Sequence, residues 1–113
     1  MSLDAGTVVW CDLDPVVGSE QGGRRPALVI SSLDYSTAIS HMTLIVPCTS
    51  RQRAWPNHVR LSGPTGLTGD TYAITEQPRS ISLERVRNIS GRVDEKTLAR
   101  VCRWVHLWQH SAA

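Results

Sequence analysis

Three short segments of this sequence carry side chains suited to binding and transforming a phosphodiester. The first runs Val16-Val17-Gly18-Ser19-Glu20-Gln21-Gly22-Gly23-Arg24-Arg25 and is polar, glycine-rich and closed by paired guanidinium groups. Its glycines let backbone N–H groups come close to a ligand, and N–H groups together with guanidinium forks suit a phosphate. No Gly-Lys-Ser/Thr follows, so it is not a Walker-type loop. The plainer alternative is a surface loop with solvated arginines. The second segment, Pro47-Cys48-Thr49-Ser50-Arg51, sets two hydroxyls and an arginine directly after an apolar strand. There the sheet holds them while solvent still reaches them; the plainer alternative is a turn whose hydroxyls satisfy backbone groups. The third, Glu76-Gln77-Pro78-Arg79-Ser80, gathers a carboxylate, an amide and a guanidinium. Gln reads a base edge and Arg reads guanine or a phosphate. The alternative here is an ordinary edge strand with Pro78 blocking further pairing.

The elements that must position these groups are mostly strands. Thr7–Cys11 reads as a first strand closed by an Asp14-Pro15 turn, Pro26–Ser31 as a second, and Met42–Cys48 as a third. The unbroken apolar stretch Ala27-Leu28-Val29-Ile30 marks the second as central and well buried. Shorter candidates are His58–Leu61, Thr71–Thr75 and Arg87–Ser90, with Gly and Pro punctuating the connections. Many short strands between such turns predict a small barrel rather than a parallel α/β sheet. The period then changes. Leu98, Val101, Cys102, Val105 and Trp108 recur at helical spacing and predict a helix from about Glu95 to His110. Asp94 is its expected N-cap, with Val93 and Leu98 as a hydrophobic staple. Short helical turns are expected after Ser82, over Leu83-Glu84-Arg85, and from Leu33 to Ile39.

Length and composition narrow the function classes. A chain of 113 residues is read as one domain with one modest core. The net charge of +2 does not by itself announce a nucleic-acid binder, but Lys96 is the sole lysine and every other basic residue is arginine. Arginine matches phosphate and base edges, although codon bias in a GC-rich genome gives the same preference. Cys11, Cys48 and Cys102 are odd in number and widely spaced, which indicates neither a disulfide framework nor a zinc site. Cys11 and Cys48 read as core thiols, and reduced cysteines suit the cytoplasm. No secretory signal is visible, and no apolar run approaches the ~20 residues needed to span a bilayer. His106 and His110 stand four apart on the predicted helix, a spacing open to metal, but no third ligand accompanies them. No metal and no cofactor are therefore expected.

These residues, taken in order, resemble the MazF/PemK family. The resemblance is carried by Gly6-Thr7-Val8-Val9-Trp10 through Asp12-Leu13-Asp14-Pro15, then Gly18-Ser19-Glu20 and Arg25-Pro26. It continues through Pro47-Cys48-Thr49-Ser50, Gly66-Leu67, Asp70-Thr71, Glu76-Gln77-Pro78-Arg79-Ser80-Ile81 and Gly91-Arg92-Val93. It runs from about Gly6 to Trp108. It implies an SH3-like small antiparallel barrel with a C-terminal amphipathic helix, working as a homodimer. It also implies a toxin that cuts single-stranded RNA sequence-specifically, without metal, through a 2′,3′-cyclic phosphate, and that is restrained by a separate antitoxin chain. The catalytic pair then falls on Arg25 and Thr49. Ser19, Glu20, Gln21 and Arg24 fall in an RNA-contacting loop, Ser50 beside Thr49, and Glu76, Gln77 and Arg79 in a base-reading segment. The chain departs from the family's frequent pattern in having Glu76 and Ser82 where Asp is common. The first change keeps the charge; the second keeps a helix-capping residue.

The implied reaction needs an in-line 2′-OH, stabilisation of charge on the phosphoryl oxygens, and two proton transfers. Arg25 suits the charge and Thr49 can donate its hydroxyl to a non-bridging oxygen. An arginine is a poor base near neutrality, so Glu20, the loop's lone carboxylate, is the candidate base. Trp104 and Trp108 are expected in a core or subunit interface. Trp55, beside Arg53 and Pro56, is the aromatic expected to be exposed, where it could stack on RNA or receive a partner. Two rival readings are a CcdB-like toxin that binds gyrase on the same fold without nuclease activity, and a plain RNA-binding SH3-like module.

Overall fold

The computed structural model describes residues 3–14, 18 and 22–109. Among them are seven strands, β1 (Thr7–Asp12), β2 (Arg24–Val29), β3 (Met42–Thr49), β4 (His58–Arg60), β5 (Tyr72–Ile74), β6 (Arg79–Ser82) and β7 (Val86–Arg92). Two helices, α1 (Leu33–Ala38) and α2 (Glu95–Gln109), and a 3₁₀ turn at Leu83–Arg85 complete the chain. The strands pair in the order β4-β5-β3-β2-β1-β7, with β6 also on β3, and the pairings are antiparallel. The result is the expected mainly β fold with a C-terminal helix, as an open, bent sheet.

The unbroken apolar runs have a specific cause. Successive strand residues point to opposite faces, and here both faces are buried. Val8, Leu28, Val46, Cys48, Val59 and Ala73 pack with Val93, Val101 and Val105 beneath α2. Val9, Cys11, Ala27, Val29 and Ile45 face the other way and pack with Leu3, Leu13, Ile81 and Val86. A strand with two buried faces has no polar alternation to show.

β3 is long enough to serve two partners on one edge. Its first half pairs with β6, from Met42↔Ser82 to Ile45↔Arg79, and its end pairs with β5 at Cys48↔Ala73 and Thr49↔Tyr72. Pro47, which has no N–H to donate, sits at the changeover. The sheet can split there without stranding a donor, so β5 and β4 diverge from β6. This split carries Thr49 to the rim.

Two boundaries differ from expectation in a way that matters. β2 begins at Arg24 rather than Pro26 because β1 reaches that far, pairing Cys11↔Arg25 and Asp12↔Arg24. Both arginines therefore belong to the sheet, not to the preceding loop. β6, considered above only as an alternative reading, begins immediately after Pro78. The two capping expectations hold: Asp94 Oδ1 accepts from Thr97 N at 2.8 Å and Ser82 Oγ from Glu84 N at 3.2 Å; the structure adds a third cap, Ser32 Oγ accepting from Tyr35 N at 3.4 Å. Val93 belongs to the core beneath α2 and Leu98 packs against that same core, the region where the staple was expected.

Candidate active site

Two adjacent clefts of about 650 Å³ and 390 Å³ open along one rim of the sheet, and Arg25 and Thr49 line both. β2 and β3 pair from Val29↔Ile45 to Ala27↔Pro47, and Arg25 and Thr49 each lie two residues beyond that last pair on their own strands. The wall dividing the clefts is thus built from neighbouring strands. Arg25 is half-buried and its Nε donates to Gly22 O at 2.7 Å, which fixes the guanidinium at its inner edge. The Thr49 hydroxyl accepts from Arg51 N at 3.1 Å. With that lone pair engaged, its own proton can be given to a ligand oxygen.

The larger cleft is further lined by Arg51, Arg53, Trp55, His58, Ile74, Glu76 and Gln77. Glu76 is the hub of its polar wall. Its Oε1 accepts from Asn57 Nδ2 at 2.7 Å, and His58 Nε2 lies 3.1 Å and 3.2 Å from the two carboxylate oxygens. Asn57 is in turn tied to Thr75, whose Oγ1 donates to Asn57 O at 2.7 Å and accepts from Trp108 Nε1 at 3.3 Å. The His58 ring is 4.9 Å from that of Trp55, and the Arg53 guanidinium stands 5.5 Å over the Trp55 ring.

The smaller cleft is lined by Trp10, Gly22, Arg24, Pro26, Cys48, Ser50, Leu67, Thr68 and Thr71 together with the shared pair. Arg24 Nε bonds Asp12 Oδ1 at 3.2 Å, and Arg87 holds the other Asp12 oxygen. Hydrogen bonds from Arg87 and then Arg24 hold the Asp12 carboxyl below its ordinary range. Cys48 is buried, donates to Val46 O, and its thiol is pushed well up by burial, so it is no nucleophile near neutrality.

The structure brings together most of the residues singled out from sequence. Arg25, Thr49, Arg24, Ser50, Glu76 and Gln77 all line one or both clefts. Arg79 lines neither; its Nη1 donates to Leu13 O at 3.4 Å, because its place opposite Ile45 turns it over the end of β1. Ser19, Glu20 and Gln21 lie outside the described residues, as does His110. Sequence reasoning weighed His58 with the other histidines for a two-histidine mechanism and gave it no role in the site; its side chain is only 4% exposed and lines the larger cleft. The signal was present: Val59 is buried beneath α2, so strand alternation sends His58 to the opposite face, across from Ile74 of β5. Trp55 is exposed as expected, while Trp104 packs against the core and stacks on Trp108 at 5.6 Å.

Residues 4–108 match the family described as PemK-like, MazF-like toxin of type II toxin-antitoxin system. The chain is 42% identical over 79 residues to the endoribonuclease toxin MazF of Escherichia coli K12, covering 70% of this chain and 68% of that one. The crystal structure of MazF from Deinococcus radiodurans superposes with a TM-score of 0.85 at 31% identity, covering 96% of this chain and 97% of the other. A MazE-MazF structure from the same organism superposes with a TM-score of 0.77 at 30% identity over 100% and 99% of the two chains. The family match spans nearly the whole sequence and both strands that carry Arg25 and Thr49, and the chain belongs to the PemK-like, MazF-like toxins of type II toxin-antitoxin systems.

Proposed function

We propose that this chain is the toxin of a toxin–antitoxin pair and that it cuts single-stranded RNA sequence-specifically and without metal, leaving a 2′,3′-cyclic phosphate and a 5′-hydroxyl. One observation carries the reading: Arg25 of β2 and Thr49 of β3 both line both of two clefts. An RNA strand laid across the dividing wall puts its bases into the clefts and one phosphate on the shared pair. Arg51 and Arg53 on one side and Arg24 on the other supply cations for the flanking backbone. Arg25 stabilises charge gathering on the phosphoryl oxygens as the 2′-oxygen attacks phosphorus, and it is the candidate donor of the proton that the departing 5′-oxygen takes up. Thr49 donates to a non-bridging oxygen. Glu20 is our choice of general base for the 2′-OH, on the ground that a guanidinium holds its proton near neutrality. If Glu20→Gln leaves the single-turnover rate and its pH profile unchanged, that assignment is wrong.

The antitoxin is a separate chain whose tail covers the RNA groove, a reading supported by the likeness to a MazE-MazF structure. The active form is a homodimer in the cytoplasm; the half-exposed Leu107 on α2 is the kind of apolar surface a subunit contact would cover. The family match and the Arg25–Thr49 pair favour this reading over gyrase binding or passive RNA binding, both of which leave RNA intact. The test incubates purified, antitoxin-free protein with mixed-sequence single-stranded RNA in excess EDTA. Discrete fragments that vanish with Arg25→Ala support the proposal. Intact RNA from folded protein rejects it.

A further inference from the structure

The Arg25–Thr49 wall explains how a phosphate is handled but leaves the far side of the larger cleft without a task. That side is chemically unusual. Trp55 is 48% exposed yet fixed in place, with the Arg53 guanidinium over its ring and His58 tilted against it by 54°. Beyond it lies the Glu76 carboxylate, a third exposed, with the buried Ile74 behind the same wall. His58 is held on Glu76 through Nε2, while its Nδ1 is buried without a hydrogen-bond partner. The carboxylate can only accept, so Nε2 carries a proton there and the other ring nitrogen is the one left without a partner. Leaving a buried ring nitrogen unmatched has a cost. The arrangement therefore aims Glu76 and supports the indole at the expense of the histidine's own bonding. Such expense is common where a side chain serves a ligand rather than the fold.

We propose that Trp55, His58 and Glu76 form a nucleobase subsite beside the scissile phosphate, which takes a base with an amino group on its pairing edge and disfavours uracil. The inference rests on the RNA-cleaving reading above and deepens it. An indole wall stacks any base, so Trp55 supplies affinity without choice. The carboxylate supplies the choice. It is an acceptor only, and it can accept a hydrogen bond from the amino group of adenine, cytosine or guanine. Uracil offers a single N–H between two carbonyl oxygens, and those oxygens repel a carboxylate. Asn57 and His58 are positioning residues: their bonds to Glu76 fix which lone pairs remain for the base.

The experiment is cleavage of a random-sequence RNA pool, with cut sites read by sequencing the new 5′ ends, for the unaltered protein, W55A, W55F and E76Q. Steady-state constants on one good substrate accompany it, and thermal melts show that each variant folds. The unaltered protein should exclude uracil at one fixed position within about two nucleotides of the cut. E76Q should admit uracil there, because an amide can donate to O4 or O2. W55A should raise KM on the order of 10- to 100-fold with kcat within about threefold, and W55F should recover most of the loss. Cleavage whose base preference is the same in E76Q, or whose KM is unmoved by W55A, overturns the subsite and leaves the parent function standing. RNA left uncut by the unaltered, folded protein overturns both.

Discussion

At the scale of single residues, the proposed mechanism gives the two members of the shared wall separable contributions to one step. Arg25 brings a fixed positive charge, and Thr49 brings one neutral donor whose lone pair is already engaged by Arg51 N. Removing a donor from a developing oxyanion slows a reaction on the order of 10²–10³-fold. Thr49→Ala is expected to lower kcat by that order with KM nearly unchanged, and Thr49→Ser to keep most of the activity. Single-turnover kinetics on a defined RNA measure both. An equal loss in the serine variant would show that the methyl group, not the hydroxyl, is what matters. The histidines divide differently from what their spacing suggests. His106 lies on an exposed stretch of α2, whereas His58 is buried within the cleft wall. Sequence spacing drew attention to the first because it follows a helix period. The second depends on a contact between β4 and the turn after β5, which no local pattern announces.

Elements were legible where a period or a cap was strong. α2 follows from its apolar stripe and from Asp94, and the observed span Glu95–Gln109 departs little from that reading. The side chain of Val101 is wholly buried between α2 and the sheet. Val101→Ala should cost about 2 kcal/mol through lost burial and a small void, seen as a lower urea midpoint with unchanged slope. The strand ends were less legible, because pairing sets them. Arg24 and Arg25 look like loop residues in a glycine-rich run, and only the reach of β1 makes them strand. The long connection after β4 also matters to stability. Gly66 has φ +74, and a β-carbon there would strike the Ser90 backbone, while one on Gly91 would strike Pro64 and Thr65. Arg92 N donates to Pro64 O at 3.0 Å along the same contact. Gly91→Ala should destabilise by roughly 1–3 kcal/mol, as overpacking does, and Gly66→Ala by more, since it adds a disfavoured φ. Wild-type melting of both variants would mean that this connection gives way freely.

For the whole molecule, the titrating groups frame a pH range of stability. Asp12, bonded to Arg87 and Arg24, and Asp94, bonded to Thr97, both titrate below the ordinary carboxylate value of 3.8. Lowered folded values favour the ionised form, so their contribution is present above about pH 4 and is lost as pH falls through those values. At the other end, burial raises the Cys11 thiol from 9.0 to about 11, and its contribution is complete below 9.0 and lost as pH rises toward 11. Urea midpoints should therefore hold a plateau between these edges, and Asp12→Asn should flatten the acid edge. An acid edge unchanged by that substitution would assign it to other carboxylates. No helix among the described residues is long and apolar enough to cross a membrane. The fold class was readable because six short strand candidates and one strongly periodic helix leave few ways to bury two apolar faces. The site was readable in its sheet-borne half, Arg25 and Thr49, and less so in the half assembled from β4 and the turn at Glu76. The central claim is that the shared wall drives attack by the RNA's own 2′-oxygen. The most direct test is a single-turnover comparison of one RNA with its copy carrying a 2′-deoxy nucleotide at the cut. The account predicts a 2′,3′-cyclic phosphate from the first and no cleavage of the second; cutting of the deoxy copy, or a product bearing a 5′-phosphate, would contradict it.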